Sequence, residues 1–266
     1  MNKRFLKVMS RKVWPFLACF FFLANFTNGM RADAATSVTL IAHRGDSSEY
    51  PENTLAAFAA AIDAGADGIE MDVRKTKDGK LVVYHDDTLE RIEGEATTDT
   101  VADYTYDELI ELQAQHYTGD DFTCEKIPTL DQVMLLMQDK DLTVVVELKN
   151  IGEDEDFPAQ VYERVKGYGM LSHVIFASFN YTYLQGIKAC NYSQPIMKFV
   201  SFSKPNIVKR FPAEYYGINM KTINPATIKA VHDAGAYVYS YTPETAAEKS
   251  TLIKLGVDGL ISDYID

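Results

Sequence analysis

Nine apolar, β-branched runs recur along the chain, at residues 38–42, 68–73, 80–85, 142–148, 174–179, 195–200, 216–220, 237–241 and 259–262. Between them lie stretches of helical periodicity at 54–64, 130–138, 159–168, 183–189, 225–234 and 245–255. Near-continuous apolar strands separated by helices predict a parallel sheet covered by helices. Residues 35–266, once the N-terminal segment is set aside, fall near the ~250 residues typical of a (β/α)8 barrel, so the expected fold is an α/β TIM barrel. One internal echo supports a repeated βα unit: Ala64-Gly65-Ala66-Asp67-Gly68-Ile69 resembles Leu255-Gly256-Val257-Asp258-Gly259-Leu260, each a glycine helix stop followed by a strand. Nine strands for eight barrel positions means that one is misassigned or lies outside the barrel. Only residues 74–79 join the second and third strands, too few for a covering helix. The segment 86–128 is too long for an ordinary loop. It is polar and rich in Asp, Thr and Tyr, with a possible helix at 106–115, and reads as a small insertion after the third strand, about 87–128.

The first 34 residues stand apart from this pattern. Lys3, Arg4, Lys7, Arg11 and Lys12 form a basic start, an apolar run follows at 13–26, and Ala32-Asp33-Ala34 supplies a small-x-small exit. That order describes a secretory signal, and the apolar run falls short of the ~20 residues that span a bilayer. The expectation is an exported or cell-surface protein whose mature domain begins at residue 35; the alternative is an uncleaved anchor. Cys124 and Cys190 then remain, and an oxidising compartment permits a disulfide between them without implying one.

A net charge of -12 argues against a nucleic-acid surface and suits a protein that holds a cation. Polar residues gather at the ends of the apolar strands: His43-Arg44-Gly45 after the first, Glu70 and Asp72 in the second, His85-Asp86 after the third, Glu147 and Lys149 after the fourth. Strand C-termini of a parallel barrel share one face, where active sites form. Glu70 and Asp72 are two apart and point the same way on a strand. Side by side they repel and need a cation or a proton, and Glu147 can complete a three-carboxylate cage. Oxygen-only ligands suit Ca2+ or Mg2+, whereas zinc more often recruits His or Cys. His43 and His85 can act as acid and base across a bound group, and Arg44 and Lys149 supply positive charge for a phosphate. Taken singly, each of these residues also has a structural reading as a strand-end hydrogen bond or a salt bridge. Together they make a kit for phosphoester hydrolysis.

Residues 41–92 carry His-Arg-Gly at 43–45, Pro-Glu-Asn-Thr at 51–54, Gly-Ala-Asp at 65–67 followed by Glu70 and Asp72, Thr76 with Asp78-Gly79, and His85-Asp86. In this order and spacing the chain resembles the glycerophosphodiester phosphodiesterase family, and residues 144–150, 177–180 and 256–264 resemble its later strands. The resemblance implies a TIM barrel that hydrolyses a small glycerophosphodiester to glycerol 3-phosphate and an alcohol, with no stable protein partner implied. It implies His43 and His85 as the acid–base pair, Glu70, Asp72 and Glu147 as ligands of one divalent cation, and Arg44 and Lys149 as phosphate contacts. Pro51 to Thr54 reads mainly as a helix start capped by Asn53 or Thr54, with Glu52 beside the site rather than a metal ligand. Tyr241-Thr242-Pro243-Glu244 departs from a Trp-Thr-Val-Asn-like run, which makes Tyr241 the expected pocket wall and puts the alcohol preference in question. The other readings are a related phosphodiesterase acting on lysophospholipids or teichoic-acid-like polymers, and a non-catalytic phosphodiester-binding barrel.

Overall fold

The structure, a computed structural model, describes residues 38–93, 97–116, 125–149 and 154–265. The expected export segment, residues 1–34, and Cys124 lie outside the described residues. In chain order the elements are β1 (Thr39–His43), α1 (Leu55–Asp63), β2 (Gly68–Lys75), β3 (Leu81–Val83), α2 (Glu90–Glu93), α3 (Tyr106–His116), α4 (Leu130–Met137) and β4 (Thr143–Leu148). There follow α5 (Phe157–Gly167), β5 (Val174–Ser178), α6 (Tyr181–Cys190), β6 (Ile196–Val200), α7 (Ile207–Arg210), β7 (Tyr215–Asn219), α8 (Pro225–Asp233), β8 (Tyr237–Tyr241), α9 (Ala246–Leu255) and β9 (Gly259–Ser262).

Eight strands pair in parallel around a closed barrel, β1-β2-β4-β5-β6-β7-β8-β9 and back to β1. The ninth expected strand is β3. It pairs antiparallel with the end of β2 (Val73 opposite Val83, Lys75 opposite Leu81) and lies outside the barrel. The reason is the short connection. With no helix to carry the chain back down the barrel, it reverses in a turn at Thr76–Gly79, where the Gly79 N–H donates to the Thr76 carbonyl (2.9 Å) and Gly79 takes φ +82°.

Strand alternation sorts the core into two shells. Ile41, Val145, Ile175, Ala177, Met197, Phe199, Tyr239 and Ile261 fill the barrel. Neighbours such as Ile69, Met71, Val144, Val146 and Phe176 face the helices and pack on Phe58, Met134, Val161 and Leu184. Large residues inside the barrel sit opposite glycine on the next strand, Phe199 opposite Gly217 and Tyr239 opposite Gly259. A Cβ on Gly217 would lie 2.2 Å from the Phe199 ring, and one on Gly259 2.1 Å from the Tyr239 ring, so these rings occupy the space that a side chain would need. The internal echo also has a structural basis. Asp67 accepts the Leu40 N–H (2.8 Å) and Asp258 the Val238 N–H (2.7 Å), so each aspartate caps the first free donor of a neighbouring strand.

The insertion packs on the β3 segment in a small separate core, in which Leu89, Val101, Leu109 and Ile127 meet Val82 and Tyr84. The helix expected at 106–115 is α3, with Asp107 and Glu108 in its first turn, where the helix dipole favours acids.

Candidate active site

The register of three adjacent strands assembles the acidic cluster. His43 of β1 lies opposite Glu70 of β2. Asp72, two residues on along the same face of β2, lies opposite Glu147 of β4. The carboxylates are 1%, 1% and 6% exposed for Glu70, Asp72 and Glu147. One oxygen from each falls within 4.8 Å of the others, close enough to hold a metal ion. His85 reaches the same place by a route that differs from the sequence reading. It does not end a parallel strand; β2 overruns the mouth and β3 brings the chain back, with the Tyr84 N–H donating to the Asp72 carbonyl (2.9 Å).

His43, Arg44, Glu70, His85, Glu147, Lys149 and Tyr241 line one cavity of about 230 Å3, with Asp72 buried beneath it. The cavity has two characters. Its lining combines the histidines and charged groups with the apolar surfaces of Phe179, Phe199, Tyr241 and Ile261. Phe179 stacks on Phe199 at 5.4 Å between centroids, and Tyr241 meets Phe199 edge-on at 5.5 Å. The Tyr241 hydroxyl donates to the Val200 carbonyl (2.9 Å), which fixes the ring in the wall.

The electrostatics follow from packing three carboxylates against two cations. Burial, with repulsion from Asp72 and Glu147, pushes Glu70 well above its ordinary value. Burial and Asp72 push Glu147 up to about 8. Asp72 goes the other way. Burial opposes its charge, but Lys149, Arg44 and His85 and a hydrogen bond from Asn53 hold it well below the usual carboxylate range. Lys149 Nζ stands 3.3 Å from Glu147 Oε2 and 3.5 Å from Asp72 Oδ1, and Arg44 Nε is 3.4 Å from Asp72 Oδ2. Asp72 Oδ1 and Arg44 Nε are buried without a hydrogen-bond partner. Arg44 occupies a left-handed backbone position at φ +59°, and Gly45 follows at φ +85°. A Cβ on Gly45 would lie 2.6 Å from the backbone of Ala57, so the chain between His43 and α1 turns tightly only because residue 45 is glycine.

Several contacts around the site lie outside what strand patterning predicts. Asp263 follows β9, which closes the barrel against β1, and its Oδ1 accepts from His43 Nδ1 at 2.6 Å. The signal available was a carboxylate directly after the last strand. Asp86 plays the same part for His85, its Oδ1 accepting from Nδ1 at 2.7 Å. Thr54, not Asn53, caps α1, accepting the Ala57 N–H. Asn53, at φ +59°, turns inward, donates to Asp72 Oδ2 (2.8 Å) and accepts the Asp72 N–H (3.3 Å). Buried Arg74 donates to the carbonyls of His85 (2.6 Å) and Lys149 (2.7 Å), tying β3 to the end of β4. Glu52 accepts from Arg44 Nη1 (2.8 Å), and the acidic cluster is formed by Glu70, Asp72 and Glu147.

Comparison with known proteins agrees with this geometry. The glycerophosphoryl diester phosphodiesterase family model matches residues 43–266. A glycerophosphodiester phosphodiesterase of Caldanaerobacter subterraneus is 36% identical over 232 residues, covering 84% of this chain and 93% of that protein. Among solved structures, an Oleispira antarctica phosphodiesterase in complex with the product sn-glycerol-3-phosphate is 26% identical with a TM-score of 0.73, over 85% of this chain and 93% of that one. A glycerophosphodiester phosphodiesterase of Agrobacterium tumefaciens is 29% identical with a TM-score of 0.72, over 86% and 97%. A parallel barrel with a buried carboxylate trio at its mouth, matched along 43–266, places this chain in the glycerophosphoryl diester phosphodiesterase family, as an enzyme of that class.

Proposed function

We propose that the chain hydrolyses glycerophosphodiesters to glycerol 3-phosphate and an alcohol, with His43 and His85 as the acid–base pair and Glu70, Asp72 and Glu147 holding Ca2+ or Mg2+. The observation that carries this reading is the pair of imidazoles on one cavity, each with Nδ1 on a carboxylate, Asp263 at 2.6 Å and Asp86 at 2.7 Å. Each carboxylate accepts the Nδ1 proton. The neutral ring then offers a lone pair at Nε2, and the protonated ring offers a proton there.

Burial, with the charges of Arg44 and Lys149, holds His85 below its ordinary value, which keeps it neutral at pH 7. That suits the role of base toward the attacking hydroxyl, whether of water or of the substrate's own glycerol. His43 then donates its Nε2 proton to the leaving alkoxide. The cluster suits a hard cation, because its donors are all carboxylate oxygens, Asp72 Oδ1 has no hydrogen-bond donor, and both glutamates resist ionisation without added positive charge. When bound, the cation neutralises phosphate oxygens and the charge that develops on them. Arg44 and Lys149 add fixed positive charge at the cavity, and Phe179, Phe199 and Tyr241 supply an apolar surface for the rest of the substrate.

Release of glycerol 3-phosphate from a panel of glycerophosphodiesters, with and without chelator, tests the reading. His43→Ala and His85→Ala should each lose two or more decades in rate. A nitrophenyl ester of glycerol phosphate, whose leaving group needs no proton, should partly restore His43→Ala but not His85→Ala. Full activity in chelator, or near wild-type rates in both variants, would overturn it.

A further inference from the structure

The insertion sends one side chain back to the acid–base machinery. Arg91, on the single turn α2 (Glu90–Glu93), donates from Nε to Asp86 Oδ2 and from Nη2 to Glu52 Oε1 (2.6 Å). The other oxygen of Asp86 accepts from His85 Nδ1 (2.7 Å), and the other oxygen of Glu52 accepts from Arg44 Nη1 (2.8 Å). The result is an unbroken chain, His85–Asp86–Arg91–Glu52–Arg44, that begins at one imidazole of the cavity and ends at the guanidinium across from it. Arg91 is its only member from α2, and its guanidinium lies 5.9 Å from the centroid of the Tyr84 ring.

Two features separate this arrangement from an ordinary surface ion pair, which would contribute little. Both carboxylates are shared, one oxygen to Arg91 and one to a group on the cavity, so moving Arg91 frees two carboxylates to rotate away from their partners. And the two histidines are supported differently. The oxygen of Asp263 that holds His43 accepts from the Ser47 hydroxyl (3.0 Å), a neutral partner from the loop between β1 and α1. The carboxylate that holds His85 is steadied by a cation from the insertion.

We propose that Arg91 is a positioning residue for His85: by clamping Asp86 and Glu52 in one planar fork it sets the imidazole's tautomer and orientation, and the insertion thereby acts as part of the catalytic apparatus. Arg91 touches neither imidazole and acts through Asp86. Lysine is a poor substitute, since one ammonium on a flexible stem does not reproduce a two-armed fork. This inference rests on the reading of His85 as an acid–base group.

The test uses the full enzyme with millimolar Mg2+ or Ca2+. Arg91→Ala should lower kcat about 10- to 100-fold, the scale on which loss of a supporting carboxylate acts on a histidine at a metal site, with a smaller change in KM through Glu52 and Arg44. Added guanidinium ion should restore part of the loss. In the Asp86→Asn background the same substitution should cost much less than in the wild type, because the part of its effect that reaches His85 runs through Asp86. NMR of ring-labelled histidine should show the downfield Nδ1–H signal of His85 in the wild type and its shift or loss in Arg91→Ala, while that of His43 stays in place. A merely structural clamp would lower thermal stability and leave the His85 signal and kcat alone. Wild-type kcat in Arg91→Ala, an equal loss in the Asp86→Asn background, or an unmoved His85 signal would overturn the proposal. Full activity in His85→Ala would instead overturn the acid–base reading on which it rests.

Discussion

The buried carboxylates make a quantitative prediction about the metal-free protein. Glu147 is raised from the ordinary glutamate value of 4.5 to about 8 by burial and by Asp72. The folded state therefore holds a proton that the unfolded chain releases throughout the interval from pH 4.5 to 8. Stability from this group is fully present below pH 4.5 and is lost as pH rises through about 8. At about 1.4 kcal/mol for each tenfold change in proton affinity, the whole loss is at most about 5 kcal/mol. For a domain of this size each kcal/mol moves Tm by about 2–4 °C, so the apoprotein should melt on the order of 10 °C lower at pH 8.5 than this group alone would allow at pH 5. Other groups titrate as well. The depression of His85 works in the opposite sense below pH 6.5, and the depressed Asp72, Asp86, Asp263 and Glu52 lose their contribution only as pH falls below the ordinary carboxylate range and through their lowered values. The variant Glu147→Gln, an uncharged match for the protonated side chain, keeps these groups in common with the wild type; Glu70, raised in the same sense as Glu147 and partly by it, is relieved along with it. The assay is Tm in chelator from pH 5 to 8.5 for both proteins. The variant should match the wild type at pH 5 and exceed it increasingly toward pH 8.5, and a divalent cation should raise only the wild type substantially at high pH, by mass action. Parallel Tm profiles for the two proteins in chelator would refute the argument that Glu147 ionises at a cost in the fold.

Three further predictions concern the loops and the termini. Asp263→Asn should lower kcat about 10- to 100-fold with little change in KM, since Asp263 holds His43 but does not line the cavity; steady-state kinetics on a glycerophosphodiester checks it. Gly45→Ala should destabilise the fold by at least about 1–3 kcal/mol from the backbone conformation alone. Its Cβ would also meet the Ala57 backbone at 2.6 Å, so the denaturation midpoint should fall and activity with it as Arg44 shifts. The basic, apolar and small-residue order of residues 1–34 predicts an exported form beginning near Ala35, which mass spectrometry of the mature terminus would detect and an intact Met1 or Asn2 terminus in the membrane fraction would contradict.

What could be read in advance was whatever depends on one strand and its neighbour. Glu70 and Asp72 share a face because they are two residues apart, and Asp72 meets Glu147 because β2 and β4 run in parallel register. The groups that orient these residues come from places that strand patterning does not reach. Asp263 is 220 residues from His43, and only closure of β9 onto β1 brings them together. Asn53 sits in a stretch where asparagine is a common helix cap; a backbone at φ +59° turns it onto Asp72, while Thr54 takes the cap. Strand ends of a parallel barrel share a face, which predicts His85 at the mouth; it arrives there instead on an antiparallel return, because β2 is long enough to carry β3 back to the level of Asp72. Arg91 looks like one charge among many in a polar insertion until the insertion docks and its fork meets Asp86 and Glu52. The division is physical. His43 and the three carboxylates sit on strands, whose periodicity is short and visible, whereas the partners that set their tautomers and charges arrive through ring closure, a left-handed turn and a docked insertion, each a tertiary event. A barrel of this kind can therefore keep its strand-end chemistry while its loops and insertion retune how each histidine is held.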